Sequence, residues 1–121
     1  MAAGLTEIVI DCNDMRRVAE FWSAVLDWPL READNGELWI SATGDYDARP
    51  FIVFVPVPEP KTMKDRIHLD VSPKGCEQAE ELERLLALGA TRVDVGQGEQ
   101  RWIVLADPEG NEFCLLGRRL D

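Results

Sequence analysis

The sequence predicts an α+β fold built from two βαβββ modules, and three observations carry the prediction. Glu7-Ile8-Val9-Ile10-Asp11-Cys12 and Arg66-Ile67-His68-Leu69-Asp70-Val71 both alternate in character with period two, the pattern of a strand with two different faces. Each is followed by a segment of helical periodicity and then by three short strand-like runs. Between them, Pro56-Val57-Pro58-Glu59-Pro60 makes a stiff, extended connector. Module one is therefore placed at residues 5–56, the connector at 56–64 and module two at 65–118 of a single domain.

In order along the chain, the first strand is expected near residues 6–11, with Ile8 and Ile10 on one face and Glu7, Val9 and Asp11 on the other. Asn13 or Asp14 caps a helix whose apolar stripe is Met15, Val18, Trp22, Val25 and Leu26. Asp27-Trp28-Pro29 ends it, because proline cannot continue a helix. Residues 30–33 and 37–42 form a hairpin about Asp34-Asn35-Gly36, since Asn-Gly tolerates the positive φ of such turns. The apolar run at 51–55 is a buried strand.

Module two repeats the order. In the strand at 66–71, Ile67, Leu69 and Val71 face the core, opposite Arg66, His68 and Asp70. Ser72-Pro73 is expected to open the helix. Ala79, Leu82, Leu85 and Leu86 form its apolar stripe, Glu77, Glu80, Glu81 and Glu83 its solvated side, and Gly89 its end. Strands follow at 91–95, 100–105 and 111–116, joined by turns at Gly96-Gln97-Gly98-Glu99 and Asp107-Pro108-Glu109-Gly110. Trp39 in Glu-Leu-Trp-Ile and Trp102 in Gln-Arg-Trp-Ile stand at matching places in the two halves.

Composition narrows the function. The 121 residues carry 13 basic and 23 acidic side chains, a formal net charge of -10, with no basic block. Binding to nucleic acid or to an anionic membrane is disfavoured. At 45% hydrophobic the chain has enough apolar residues for a core. Cys12, Cys76 and Cys114 show neither disulfide nor metal-type spacing, which suits a reducing cytoplasm. No signal peptide or long apolar run is seen, so a cytoplasmic protein is expected.

The βαβββ repeat, together with Val57-Pro58-Glu59-Pro60-Lys61, Arg66-Ile67-His68-Leu69-Asp70 and Leu105-Ala106-Asp107-Pro108-Glu109-Gly110-Asn111-Glu112-Phe113-Cys114, resembles the vicinal oxygen chelate superfamily, and within it a glyoxalase-like subgroup. The superfamily contains glyoxalase I, bleomycin-resistance proteins and extradiol dioxygenases. The resemblance implies two modules whose curved sheets make a cup, often completed in a homodimer. It also implies metal-ligand positions at Glu7, Arg66 and Cys114, with a fourth near Val53 or Val55. Arginine has no lone pair to give and valine no donor, so no metal and no cofactor are expected, nor lactoylglutathione lyase activity.

The remaining candidate chemistry is compact. Glu7 and Arg66 occupy matching places and are expected to pair, either fixing the packing of the halves or anchoring a ligand. His68, the only histidine, is the candidate catalytic acid or base, or a partner for Asp70. Cys114 is a cup-floor thiol or a small buried hydrophobe. Glu112 faces solvent or pairs with a basic residue. Trp39 and Trp102 grip a flat or apolar ligand or belong to the core. Asp11 adds a carboxylate on the same face as Glu7, and Arg49, Lys61 and Lys64 are scarce cations near the seam.

Three functions are weighed on these residues. The first is metal-free binding of a small organic molecule by Glu7, Asp11, Trp39, Arg66, Trp102, Glu112 and Cys114. The second is an acid–base lyase, isomerase or dehydratase using His68 with Glu7, Asp11 or Asp70. The third is a metal-dependent lyase or dioxygenase with the atypical ligands Glu7, His68, Glu112 and Cys114.

Overall fold

The computed structural model describes every residue except Gln97 and Glu99. Residue contacts divide the chain into two compact units, Met1–Pro60 and Lys61–Asp121.

In the first unit, β1 (Glu7–Cys12), α1 (Met15–Leu26), β2 (Leu30–Glu32), β3 (Leu38–Ile40) and β4 (Phe51–Pro56) follow in βαβββ order. The sheet runs β1-β4-β3-β2. Its one parallel pair, β1 with β4, sets Val9 against Val53 and Asp11 against Val55. The Asp14 carboxylate accepts from the Arg17 N–H and caps α1. Val18, Ala19, Phe21, Trp22 and Val25 are buried, and α1 packs on all four strands. In the β2–β3 turn, the Gly36 N–H donates to the Ala33 carbonyl at 2.9 Å, and the φ of 89° is one glycine adopts without strain. The side-chain amide of Asn13 donates to the carbonyls of Val57 and Glu59, tying the proline-rich connector to the start of α1.

The second unit repeats this plan with β5 (Leu69–Val71), α2 (Gln78–Leu88), β6 (Thr91–Arg92), β7 (Ile103–Ala106) and β8 (Glu112–Leu115). Its sheet order, β5-β8-β7-β6, is that of the first. The parallel pair β5 and β8 sets Asp70 against Cys114. The Leu116 N–H donates to the Val71 carbonyl just as the Val57 N–H donates to Cys12, both at 2.8 Å. With Asp70 matched to Asp11, this common register makes His68 the counterpart of Val9, Glu112 of Val53 and Cys114 of Val55. The duplicated α+β fold is thus the one expected.

Several local expectations are corrected. The strand at 66–71 is shorter: Arg66 and Ile67 lie in a bend, and Ile67 is 83% exposed rather than under a helix. Ser72-Pro73 does not open α2. Lys74 bridges to Leu120, Gly75 takes φ 77°, and the helix starts only at Gln78. The backbone there is committed to pairing before it can coil. Glu81 is not on a solvated face: it is buried, and Arg84 one turn on grips both its oxygens at 2.7 and 2.8 Å. The strand expected at 91–95 ends at Arg92, and the strand expected at 100–105 begins at Ile103, leaving Trp102 before it. The turn expected at Gly96-Gln97-Gly98-Glu99 lies partly outside the described residues.

Trp39 and Trp102 also do not occupy matching places. Trp39 pairs with Val53, whose counterpart Glu112 pairs with Ala106. The local similarity of Leu-Trp-Ile and Arg-Trp-Ile is offset from the hydrogen-bonded register, and the backbone register decides which side chains share a face.

Candidate functional site

The second unit holds a cavity of about 310 Å³. Val95, Trp102, Val104 and Leu116 supply its apolar wall, and Lys64, His68, Asp70, Glu112 and Cys114 its polar part. The floor comes from two neighbouring parallel strands. His68 and Asp70 are two residues apart, so the period of an extended chain turns them to one side. Register then places Cys114 of β8 beside Asp70.

The His68 Nε2 lies 3.3 Å from the Asp70 Oδ1, and both side chains are about half exposed. Cys114 is buried. Burial pushes its thiol pKa up, and the Asp70 carboxylate, by its charge and by accepting the thiol's hydrogen bond, pushes it further; Lys64 acts the other way. Donor atoms of His68, Asp70 and Cys114 all lie within 4.8 Å of one another.

Glu112 has a different job. Its Oε1 takes a 3.0 Å hydrogen bond from the Lys61 ammonium, and its Oε2 one from the Asp65 N–H at 3.2 Å. Only 11% of the Glu112 side chain and 23% of Lys61 are exposed. Burial opposes ionisation of Glu112, yet the Lys61 and Asp65 hydrogen bonds outweigh it and hold the carboxyl below its ordinary range. Asp65 moves the opposite way: burial, then the Glu112 charge, raises its pKa. Glu112 is therefore an anchored wall of the pocket, paired with a base as one of its expected readings had it.

The tight turn of Asp107-Pro108-Glu109-Gly110 carries this wall. The Asp107 Oδ1 accepts from the N–H groups of Glu109 and Asn111, and its Oδ2 accepts from the Asn111 side chain. Gly110 closes the turn onto the Asp107 carbonyl with φ 89°. β8, with Glu112 and Cys114, starts directly beyond it.

Of the residues singled out from sequence, His68, Trp102, Glu112 and Cys114 thus line one pocket, with Lys64. Trp39 does not stand open. It is buried with Phe51 and Val53, and its ring meets Tyr46 edge-on at 5.2 Å. Glu7 and Asp11 project from the exposed face of β1 in the first unit, and Arg66 is exposed in the bend before β5 in the second. Asp70 was read as a hydrogen-bond partner of His68 or its partner in acid–base chemistry, and it does lie 3.3 Å from it. Its standing as a ligand donor was legible in the His-x-Asp spacing, but only pairing with β8 brings a third donor to it.

This corrects the expectation of no metal and no cofactor. That expectation rested on Arg66 and the valines at the positions used elsewhere in the superfamily. The fold gathers the thiol of Cys114, itself at one of those positions, with the imidazole of His68 and the carboxylate of Asp70, a donor set that fits a divalent ion of borderline softness.

Two βαβββ modules, one of them carrying a polar-floored pocket, define a vicinal oxygen chelate protein. Residues 7–116 match the family described as "Glyoxalase-like domain", and the chain belongs to that family. No curated protein matches it. Among solved structures it is similar to the fosfomycin resistance protein FosX of Mesorhizobium loti, at 16% identity and a TM-score of 0.69, covering 96% of this chain and 92% of that one. FosX of Listeria monocytogenes in its tetragonal form is similar at 21% identity and a TM-score of 0.69, covering 100% and 95%. A mutant of the Listeria monocytogenes protein, solved with Mn(II) and 1S,2S-dihydroxypropylphosphonic acid, gives 20% identity and a TM-score of 0.63, covering 96% and 90%. Mn(II) in that similar structure, together with the donor set here, overturns the expectation that this chain offers no metal site. Among the described residues no helix is long and apolar enough to cross a membrane.

Proposed function

We propose that this protein binds a small organic molecule in the second module's pocket and that His68 exchanges a proton with it. The observation that carries the reading is the convergence of Trp102, Val95, Val104 and Leu116 with His68, Asp70 and Cys114 around one cavity of about 310 Å³. Such a combination, an apolar wall with a few polar groups at one end, is the usual make-up of a ligand site. Asp70 at 3.3 Å favours a proton on the His68 Nε2 and leaves Nδ1 to act as base. Lys64 supplies a cation for an acidic substituent. The reaction class that suits these groups is acid–base lyase, isomerase or dehydratase chemistry. A divalent ion held by His68, Asp70 and Cys114 would displace the proton between His68 and Asp70, and the ion in place of His68 would then polarise a ligand oxygen.

Phosphonates enter the ligand panel because of the FosX relatives, beside flat aromatic antibiotics and small carbonyl metabolites. Binding is read by calorimetry and turnover by product analysis. Trp102→Ala is expected to weaken binding about fivefold, an aromatic contact being worth on the order of 1 kcal/mol. His68→Gln is expected to leave binding within about threefold and remove turnover. Equal affinity in wild type and Trp102→Ala would refute the pocket, and full turnover in His68→Gln would refute the acid–base role.

Assembly as a homodimer and a cytoplasmic location belong to this reading too. Exposed Val9, Met63 and Ile67 support the dimer. Sedimentation equilibrium of wild type and an Ile67→Lys variant tests it.

A further inference from the structure

We propose that the ligand of the second unit carries an anionic end, a carboxylate or phosphoryl group, and that this end lies beside Arg92 in a second cavity while the apolar body packs on Trp102. The proposal rests on the pocket reading above and extends it to the class of ligand.

The second cavity holds about 300 Å³, and Trp102 and Val104 line both it and the first. Trp102 stands just before β7 and Val104 two residues on, so the period of an extended chain turns both to one side. The two compartments therefore adjoin along one apolar wall. Each alone is at the lower end of the roughly 300–1,000 Å³ that small-molecule sites occupy. A ligand that reaches His68 with one end and follows that wall brings its other end into the second cavity.

Charge then separates the compartments. In the first, Lys64 shares the space with the carboxylates of Asp70 and Glu112, and its ammonium already donates to the Asp65 carbonyl at 3.2 Å. In the second, Arg92 is the one charged residue among the described ones that line it, and its guanidinium has no ion pair among them. Asp94, two residues on, accepts instead from the Gly96 N–H at 2.7 Å. β6 is the edge strand of its sheet and ends at Arg92. Residues from both faces of β7, Ile103 and Val104, line the cavity, so it opens at this edge, within reach of an arginine stem there. A planar guanidinium matches the paired oxygens of a carboxylate or phosphoryl group.

The first module serves as an internal control. Arg92 pairs with Leu105, whose counterpart is Leu38, and Leu38 pairs with Glu32. The same place in the common register thus holds an acid there, 4.0 Å from Arg16. A cation without an ion pair at this edge belongs to the sequence of the second module and not to the fold.

The test is calorimetry of the full chain with matched probes: phenyl-, indolyl- and naphthylacetic acids, their neutral amides, and 2-naphthyl phosphate. The acids and the phosphate should bind about fivefold more tightly than the amides, the scale of one exposed charge pair. Arg92→Gln, altered at an exposed position and checked for folding by circular dichroism, should remove that preference, while the amides, which bring no charge to Arg92, bind it as they bind wild type. Arg92→Lys should keep part of the preference, since the charge survives without the fork. Lys64→Gln should keep it whole. Added salt should weaken the acids and spare the amides. Equal affinity for acids and amides in wild type, a preference that survives Arg92→Gln, or one lost in Lys64→Gln would overturn the proposal. Amide binding that Trp102→Ala weakens leaves the pocket standing when the charge preference is absent, whereas failure of acids and amides alike removes both.

Discussion

Replacing Asp107 by alanine tests the frame on which the pocket hangs. Asp107 is 3% exposed, and its carboxylate receives three hydrogen bonds at 2.8–3.0 Å from Glu109 and Asn111. Hydrogen bonds to a charged acceptor contribute on the order of 1.5–3 kcal/mol when the donors are left dry. Here the donors belong to a half-buried turn and regain water once freed. About 1 kcal/mol per bond is the appropriate scale, a loss of about 3 kcal/mol. For a chain of this length the entropy of unfolding is about 0.25 kcal/mol per kelvin, so Tm should fall by about 12 °C. Asp107→Asn keeps an oxygen acceptor and should lose about half as much. Scanning calorimetry gives Tm, and urea denaturation should show a lower midpoint with an unchanged slope. A fall below about 3 °C in Asp107→Ala, or a larger fall in Asp107→Asn than in Asp107→Ala, would refute the account.

Lys61→Met should cost about 1–2 kcal/mol at neutral pH, between the values for exposed and buried pairs, since it strands a largely buried Glu112. Glu112 has a lowered pKa when folded, so its stabilisation is present above the ordinary carboxylate range and disappears as pH falls through the folded value. Asp65, raised when folded, has the opposite sign: its penalty is present at neutral pH and is relieved on acidification. The gap in Tm between Lys61→Met and wild type should therefore shrink towards acid pH, and a gap that widens there would contradict the assignment. Trp39→Ala should destabilise by about 3–5 kcal/mol by opening the aromatic cluster, whereas Trp102→Ala, at 41% exposure, should cost less than about 1 kcal/mol; urea midpoints compare them. Gly110→Ala should cost about 1–2 kcal/mol because φ at 89° is strained for any side chain with a Cβ, and calorimetry measures it.

Much of the site was legible because it follows from short-range rules. His68 and Asp70 share a side through the period of an extended chain, and the Asp-Pro-Glu-Gly turn follows from proline and glycine chemistry. Glu112 was placed on the correct strand, but its partner was not, because Lys61 is distant in sequence and only folding brings it within 3.0 Å. Matching the two tryptophans by their neighbours failed for a related reason. Local identity says nothing about which residue faces which across a sheet. The buried Glu81 escaped notice because a carboxylate normally marks a solvated face unless a guanidinium one turn away satisfies it.

By itself the chain order of apolar periodicities, turn residues and the proline-rich connector determined two βαβββ modules and the family to which they belong. Those signals act over a few residues, and the backbone has few ways to obey them. Only the tertiary structure decided which module gathers donor groups around a pocket. Parallel pairing of β5 with β8 sets a buried thiol beside a carboxylate and a histidine, while the same pairing of β1 with β4 sets Val55 beside Asp11. Whether donors meet depends on strand register between segments far apart in sequence, and register is fixed by the packing of whole sheets.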